Sequence, residues 1–433
     1  MKRGWGVVAI GLLLIAGACS QERPSDPQST TGEVTLQVQG EVEEVAVYDA
    51  LVKSFELDVE GIDVNLVKLT DEDDILAKLT AQFASGNAPD VFTINFREFS
   101  QFAAEGALEP AGPLLEAEGL DFGDYYPQPM QAFTYNDELQ CMPQNLSSMV
   151  VFYNTQLFER FNVPRPQPGW TWEDFRDTAI ALNKEGAHGL GIDPHVIRLA
   201  PFIWSNGGEL VDDPENPSRF ALDDPQSREA VEFIVSLVRD DGVVPSEKEV
   251  AAQALDERFA AGKLGMLLSS RREVPGFREV QGLQWDAAAP PVAKEPSSIL
   301  HTDGYCIAAG SENVDAAAKF VAYAMSKEGQ TITALSGRTV PVLKSVAHSA
   351  AFLDPAQPPA HSEVWLEVIP HLRATPVIPT WPEIEALSEE TIIKMFYEPG
   401  FTIDDGIEEL DRTTSDLFRE GVERGLGGET GEG

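Results

Sequence analysis

Cysteine, histidine and positive charge are all scarce in this chain, and each scarcity closes off a class of function. Its 433 residues hold three cysteines and six histidines. No HExxH, CxxC or GxSxG pattern occurs, so zinc-helix, dithiol and serine-elbow chemistry have no motif to rest on, and neither a metal nor a cofactor is expected. Lys plus Arg number 31 against 71 Asp plus Glu, a formal net charge of −40. A field of that sign repels phosphate backbones, which argues against nucleic acid as a partner. The acids are scattered through segments such as DEDDILAKL and VDDPENPSRF, as a solvated surface requires. Beyond one short apolar run near the start, nothing approaches the length of a membrane span.

That run is informative. Lys2 and Arg3 precede an apolar core from Trp5 to Ala18, the size of a signal-peptide h-region. Ala16-Gly17-Ala18-Cys19 resembles a bacterial lipobox, with Ala16 where Leu is usual. The expectation is a signal peptide over 1–18, lipidation of Cys19, and a polar tether over 19–33 (SQERPSDPQSTTGE after the cysteine) that cannot bury enough surface to order itself. Such a leash reaches roughly 20 Å. The body is then expected in water at the outer face of the cell membrane, or in a periplasm.

About 400 remaining residues exceed what one core usually serves, so two lobes are expected. VTLQVQG alternates like a strand, VEEVAVYDALVKSFE has helical spacing, IDVNLVKL is a second strand, DDILAKLTAQFASG a helix stopped at Gly86, and APDVFTIN a third strand. Strand-helix alternation of this kind predicts an α/β lobe with a mostly parallel sheet and a ligand site beyond the carboxyl ends of its strands, at Gly40 to Glu44 and Thr93 to Phe96. Farther on, Thr171 is placed to cap a helix with Asp174 at its third position, and Trp170 and Trp172 to staple that helix start. Helices are also expected over PQSREAVEFIVSLVRDD, VDAAAKFVAYAMSKEGQ, WPEIEALSEETIIKMF and IDDGIEELDRTTSDLF.

Seven segments, LTAQFASGNAPDVF, VFYNTQLFERFNVP, WTWEDF with TAIALNK, IWSNGGELV, RFAAGKLGMLLSS, TDGYCIAAGS with AAAKFVAYAMS, and SGRTVPVLKSVA, occur in an order that resembles the family-1 extracellular solute-binding proteins of bacterial ABC importers, the sugar-binding branch. The resemblance runs from about Val34 to Val422. It implies a two-lobed periplasmic-binding-protein-like α/β fold (type II), with lobe 1 formed by 34–142 and 305–345, lobe 2 by 143–304 and 346–425, and a disordered tail over 426–433. It also implies crossing strands at Leu139 to Pro143 and Asp303 to Ile307, running side by side. Cys141 and Cys306 would then be adjacent, as a disulfide or as two buried thiols.

The implied function is capture of a mono- or oligosaccharide by a monomer that delivers it to membrane permease subunits, without catalysis. Candidate contacts are Glu41, Glu43, Glu44, Asn95 and Phe96 from the first lobe and Asn145, Ser147, Trp204, Gly207 and Gly208 from the second. Arg271 follows a strand where relatives place a ligand-facing residue, Asp303, Gly304 and Tyr305 precede the second crossing, and Arg338 lies in the SGRTVP loop. Trp204 and Tyr305 are the leading candidates for stacking on a sugar ring, with Trp381 third. The acids at 41 to 44 leave room for a cationic solute such as a polyamine, and a sensing lipoprotein is a further alternative. A secreted glycosidase would need two carboxylates at a defined separation, which no motif here supplies.

Overall fold

The computed structural model describes residues 32–40, 42–70 and 75–426; the side chains of 42–44 and 426 are outside that set. The signal peptide, Cys19, residues 20–31 of the tether, Glu41, residues 71–74 and the last seven residues therefore lie outside the described residues, whereas Gly32 and Glu33, expected in the tether, begin a strand, and Leu426, expected in the tail, ends helix Ile403–Leu426. Among the described residues, no helix is long and apolar enough to cross a membrane.

The strands of the first half are β1 (Gly32–Gln39), β2 (Ile62–Leu69), β3 (Val91–Asn95), β4 (Leu108–Glu109), β5 (Thr134–Tyr135), β6 (Glu138–Leu139), β7 (Cys141–Pro143), β8 (Asn145–Ser148) and β9 (Val150–Asn154). The second half adds β10 (His188–Gly191), β11 (Leu264–Ser269), β12 (Trp285–Ala288), β13 (Ser298–His301), β14 (Asp303–Ala308), β15 (Val340–Pro341) and β16 (Leu372–Arg373). A six-stranded sheet in the order β2-β1-β3-β14-β4, with β7 also on β14, forms the base of the first lobe. Its β1 pairs parallel with β2 and β3, as the strand-helix alternation predicts, while β14 returns antiparallel to β3, β4 and β7. The second lobe is built on β10-β11-β9-β12.

Between them lies a small sheet, β15-β8-β13-β16. Of the stretches expected to cross between lobes, Cys141 to Pro143 and Asp303 to Ile307 are paired within the first sheet, while Leu139 pairs with Thr134 in the β5–β6 hairpin. The neighbouring strands β8, just after the first stretch, and β13, just before the second, belong to the small sheet. These two run antiparallel, with Leu300 opposite Ser148 and His301 opposite Ser147.

Period-2 alternation explains how β9 serves two cores at once. Val150 and Phe152 face the core that extends from the first lobe, whereas Val151 and Tyr153 face the core of the second. Local signals hold where chemistry enforces them. The Thr171 hydroxyl accepts from the Asp174 N–H at 3.1 Å while the Asp174 carboxylate accepts from the Thr171 N–H at 2.8 Å, closing a capping box on helix Trp172–Leu182. Trp170 donates its indole N–H to the Ala289 carbonyl, and Trp172 stacks on Phe233. The helix predicted over 314–330 is two helices, Val314–Met325 and Lys327–Ala334, because Ser326 leaves the helical region and caps the second through the Gly329 N–H.

Cys141 sits directly opposite Cys306 in the β7–β14 pair, and the two form a disulfide with their Cα atoms 4.4 Å apart. That spacing is what a non-hydrogen-bonded antiparallel pair provides.

Candidate ligand-binding site

A cavity of about 340 Å3 lies where the carboxyl ends of β1 and β3 meet β8, β13 and the second lobe. Gln39, Gly40, Thr93 and Asn95 reach it from the first sheet, which is where an open α/β sheet places its ligands. Asn145 and Ser147 reach it from β8, and His301 from β13. Leu300, the preceding residue on β13, lines a separate cleft of about 790 Å3 on the strand's other face. The small connecting sheet thus divides two hollows, and only the first collects polar groups from the strand ends of both lobes.

Asp303 organises the first-lobe wall. Its carboxylate accepts from the Asn95 carboxamide at 3.0 Å and the Asn145 carboxamide at 3.3 Å, while its own N–H donates to the Asn145 side-chain oxygen at 3.1 Å. Thr302 donates to the Asn145 carbonyl at 2.6 Å, fixing β8 against the β13–β14 junction. Arg97 donates through Nε to the Asn95 oxygen at 3.0 Å and pairs with Glu385, which belongs to helix Trp381–Tyr397 of the second lobe. This ion pair joins the lobes directly.

Of the residues predicted from sequence, Asn95, Asn145, Ser147, Asp303 and Arg338 line the cavity. The aromatic predictions do not. Tyr305 is fully buried in the first-lobe core, edge-on to Tyr48 and Phe320, and burial there pushes its hydroxyl above the usual phenol range. Trp204 is buried on the far side of β13, on the larger cleft, with the Arg373 guanidinium 4.9 Å from its ring. Trp381 packs between Phe220 and Phe418, but its indole N–H donates to Glu385 at 3.0 Å and so orients the carboxylate that Arg97 meets. Phe96 is core.

Gly208 and Gly304 serve packing: a side chain at 208 would meet Ser227 at 2.6 Å, and one at 304 the Phe133 ring at 2.7 Å. Gly207, with φ +72°, turns the chain out of helix Val196–Ser205. The side chains of Glu43 and Glu44, like all of Glu41, are outside the described residues.

Arg271 is a one-residue miss. Its side chain is fully buried between Phe352 and Trp365, at 4.2 and 4.6 Å from the ring centres, and its N–H is held by the Ser147 hydroxyl at 3.2 Å. Arg272 takes the place on the cavity wall that was expected of it. Arg97, Arg198 and His301 also line the cavity without having been singled out. Arg97 immediately follows the predicted cleft loop, and that adjacency is the one signal that could have found it. His301 is held neutral, well below the usual imidazole range, first by burial and then by Arg97, Arg198, Arg272 and His195 around it. Every charge named there is positive. Among the described residues no group of three or more His, Cys, Asp or Glu could hold a metal ion.

The bacterial extracellular solute-binding protein family matches residues 50–360, and the chain belongs to it. A binding protein of Brucella abortus (strain 2308) is 23% identical over 428 residues, covering 94% of this chain and 98% of its own. The sn-glycerol-3-phosphate-binding periplasmic protein UgpB of Escherichia coli is 27% identical over 186 residues, 41% of this chain and 40% of that one. Among solved structures, an ABC substrate-binding protein of Listeria monocytogenes in complex with cycloalternan is similar with a TM-score of 0.80 at 23% identity, covering 90% of this chain and 98% of that one. UgpB of Mycobacterium tuberculosis in complex with glycerophosphocholine is similar with a TM-score of 0.76 at 18% identity, covering 90% and 99%. The fold is therefore the two-lobed solute-binding fold, and the chain is an extracytoplasmic binding protein rather than an enzyme.

Proposed function

We propose that this chain is a lipoprotein, anchored through Cys19, that captures a sugar or a similarly small hydroxylated solute between its lobes and delivers it to the membrane subunits of an ABC importer. The observation that carries this reading is the polar cavity between the lobes, with Asp303 held by Asn95 and Asn145 as a fixed acceptor for hydroxyl groups. At about 340 Å3 the cavity is at the small end of ligand sites, which favours a mono- or disaccharide-sized solute over a long oligosaccharide. Among the described residues its lining holds no Phe, Tyr or Trp side chain, so hydrogen bonding takes the place that ring stacking has in longer sugar sites. The ligands bound by these two neighbours, cycloalternan and glycerophosphocholine, both carry hydroxyl groups. A polyamine is disfavoured, because Arg97, Arg198, Arg272 and Arg338 face the same space.

Solute bridging the lobes stabilises the closed form, and the permease reads that population. We place the lobe boundaries at β8 and β13, shifting the divisions at 142/143 and 304/305 by a few residues. The test is a melting-temperature screen of the mature protein against monosaccharides, disaccharides, phosphorylated polyols and polyamines. A ligand at a hundred times its dissociation constant adds about 2.7 kcal/mol to the native state. A rise with polyamines alone defeats the reading.

A further inference from the structure

The Arg97–Glu385 pair ties the lobes together beside the cavity, and half of it lies off the cavity wall. Arg97 lines the cavity, just after β3 of the first-lobe sheet, whereas Glu385, on helix Trp381–Tyr397 of the second lobe, is not part of the lining. Each partner is held in place by its own lobe. In the first lobe, the Asn95 carboxamide oxygen accepts from the Arg97 backbone N–H at 3.2 Å and from its Nε at 3.0 Å, and the same carboxamide donates to Asp303 at 3.0 Å. In the second, the Trp381 indole N–H donates to Oε2 of Glu385 at 3.0 Å, one helical turn away. That leaves Oε1 for Arg97, with Nε2 of His195 3.5 Å from the same oxygen. Trp381 is itself fixed, since it is fully buried between Phe220 and Phe418, and the start of its helix is pinned where the Thr380 hydroxyl donates to the Leu417 carbonyl at 2.7 Å.

Preorganisation on both sides decides what the pair is worth. An exposed ion pair contributes little, because two long side chains must be ordered for a contact that water screens. Here Asn95 and Trp381 already supply the ordering, and the two side chains keep only 19% and 12% of their exposure. The partners sit on elements that pack into different cores, so rotation of one lobe against the other separates them. Opening then returns both charges to water and recovers the cost of having desolvated them. The pair therefore biases an equilibrium between open and closed forms and does not lock it.

We propose that Glu385 is a clasp: paired with Arg97 across the cleft, it favours the closed arrangement before any solute arrives, positions Arg97 on the cavity wall and slows solute release. The inference rests on the reading that solute is captured between the lobes, and it deepens that reading by giving the closed form a contribution from a residue off the cavity wall. Solute binding draws on the equilibrium between open and closed forms, so a shift of that equilibrium made at the clasp changes apparent affinity in proportion. The effect falls on release more than on capture, since the lobes close after encounter and must open before the solute can leave.

The test compares the mature wild type with Glu385→Gln, Arg97→Gln and the double variant, each checked by a melting curve. Small-angle X-ray scattering of the protein without solute reads the separation of the lobes. Glu385→Gln is expected to have a larger radius of gyration than wild type, and the double variant to match Arg97→Gln, because the second change removes nothing once the pair is gone. Arg97→Gln reads the same pair from the other lobe should Glu385→Gln fail to fold. Stopped-flow fluorescence with glucose, maltose and glycerol 3-phosphate as probes supplies a second readout: a probe that binds should leave Glu385→Gln roughly fivefold faster or more, with association within about twofold of wild type. Equal radii, or equal release rates, for folded wild type and Glu385→Gln would overturn the clasp. So would a further expansion when Glu385→Gln is added to Arg97→Gln, which would assign Glu385 to packing within its own lobe. Expanded variants with silence from every probe would uphold the clasp and defeat the hydroxylated-solute reading, whereas bound probes with equal radii would do the reverse.

Discussion

Removing the Cys141–Cys306 bond should lower stability more than any ordinary surface change to this protein. The two cysteines are separated by 165 residues, so the bond closes a loop containing nearly the whole outward passage of the chain through the second lobe and back. Loop-closure entropy for that length amounts to about 5 kcal/mol, against ~2–5 kcal/mol typically lost when a native disulfide is removed. Because both cysteines lie in the first-lobe sheet, just before β8 and just after β13, the bond anchors the roots of the crossing strands without clamping the strands themselves. The expected outcome is a large fall in urea midpoint for a Cys141→Ala, Cys306→Ala double variant, with ligand affinity unchanged in buffer. Wild type under reductant should follow the variant, while reductant should leave the variant where it was. Coincident midpoints for oxidised wild type and the variant would refute the reasoning, since both replaced side chains are small and buried and no other large term is lost.

Three further outcomes are expected. Tyr305→Ala and Trp204→Ala should each cost ~3–5 kcal/mol of stability by leaving a cavity where an aromatic ring is buried; a selective loss of ligand affinity with an unchanged urea midpoint would instead return these rings to the ligand site. Arg271→Met should be neutral or stabilising by ~1–4 kcal/mol, because a guanidinium buried between two rings with no hydrogen bond from its side chain gains less than its desolvation costs; a large drop in melting temperature would show the two ring contacts outweighing that cost. Stability should also fall with acid. His301 has a depressed folded pKa, so the stability it contributes is complete above its unfolded value near 6.5 and is lost as pH falls below it, by about 1.4 kcal/mol for each unit. His195, lowered chiefly by burial, acts in the same direction. Urea midpoints between pH 7.5 and 5 should fall less steeply in His301→Asn than in wild type, and equal slopes would reject the assignment. Glu249 separates itself from this window, since the Ser246 hydroxyl and backbone N–H hold it at about 2, so its largely exposed capping contribution fades only below about 4.5.

What could be read in the sequence was whatever depends on spacing within one element. IDVNLVKL is β2 to the residue, the Thr171–Asp174 box forms as its spacing demands, and Asn95 lies at the end of β3 where an α/β sheet presents a ligand site. What could not be read is the depth and turn of single side chains. Asp303 and Tyr305 share one face of β14, since they are two apart, yet a rise of about 3.3 Å per residue puts Tyr305 some 7 Å farther in, beneath Tyr48 and Phe320. A site residue and a core residue therefore differ there by distance from the sheet's end, which periodicity does not encode. Arg271 and Arg272 differ by rotation instead: beyond Ser269 the chain leaves β11 and coils into helix Glu273–Glu279, where strand alternation no longer says which side chain faces inward.

Net charge does not locate the site either, for a related reason. It sums over the whole surface, where 71 acids are mostly solvated, whereas a ligand responds to the few groups within a Debye length and behind a low-dielectric wall. Arg97, Arg198, Arg272 and Arg338 line one cavity inside an exterior of the opposite sign, a local grouping that the sum conceals.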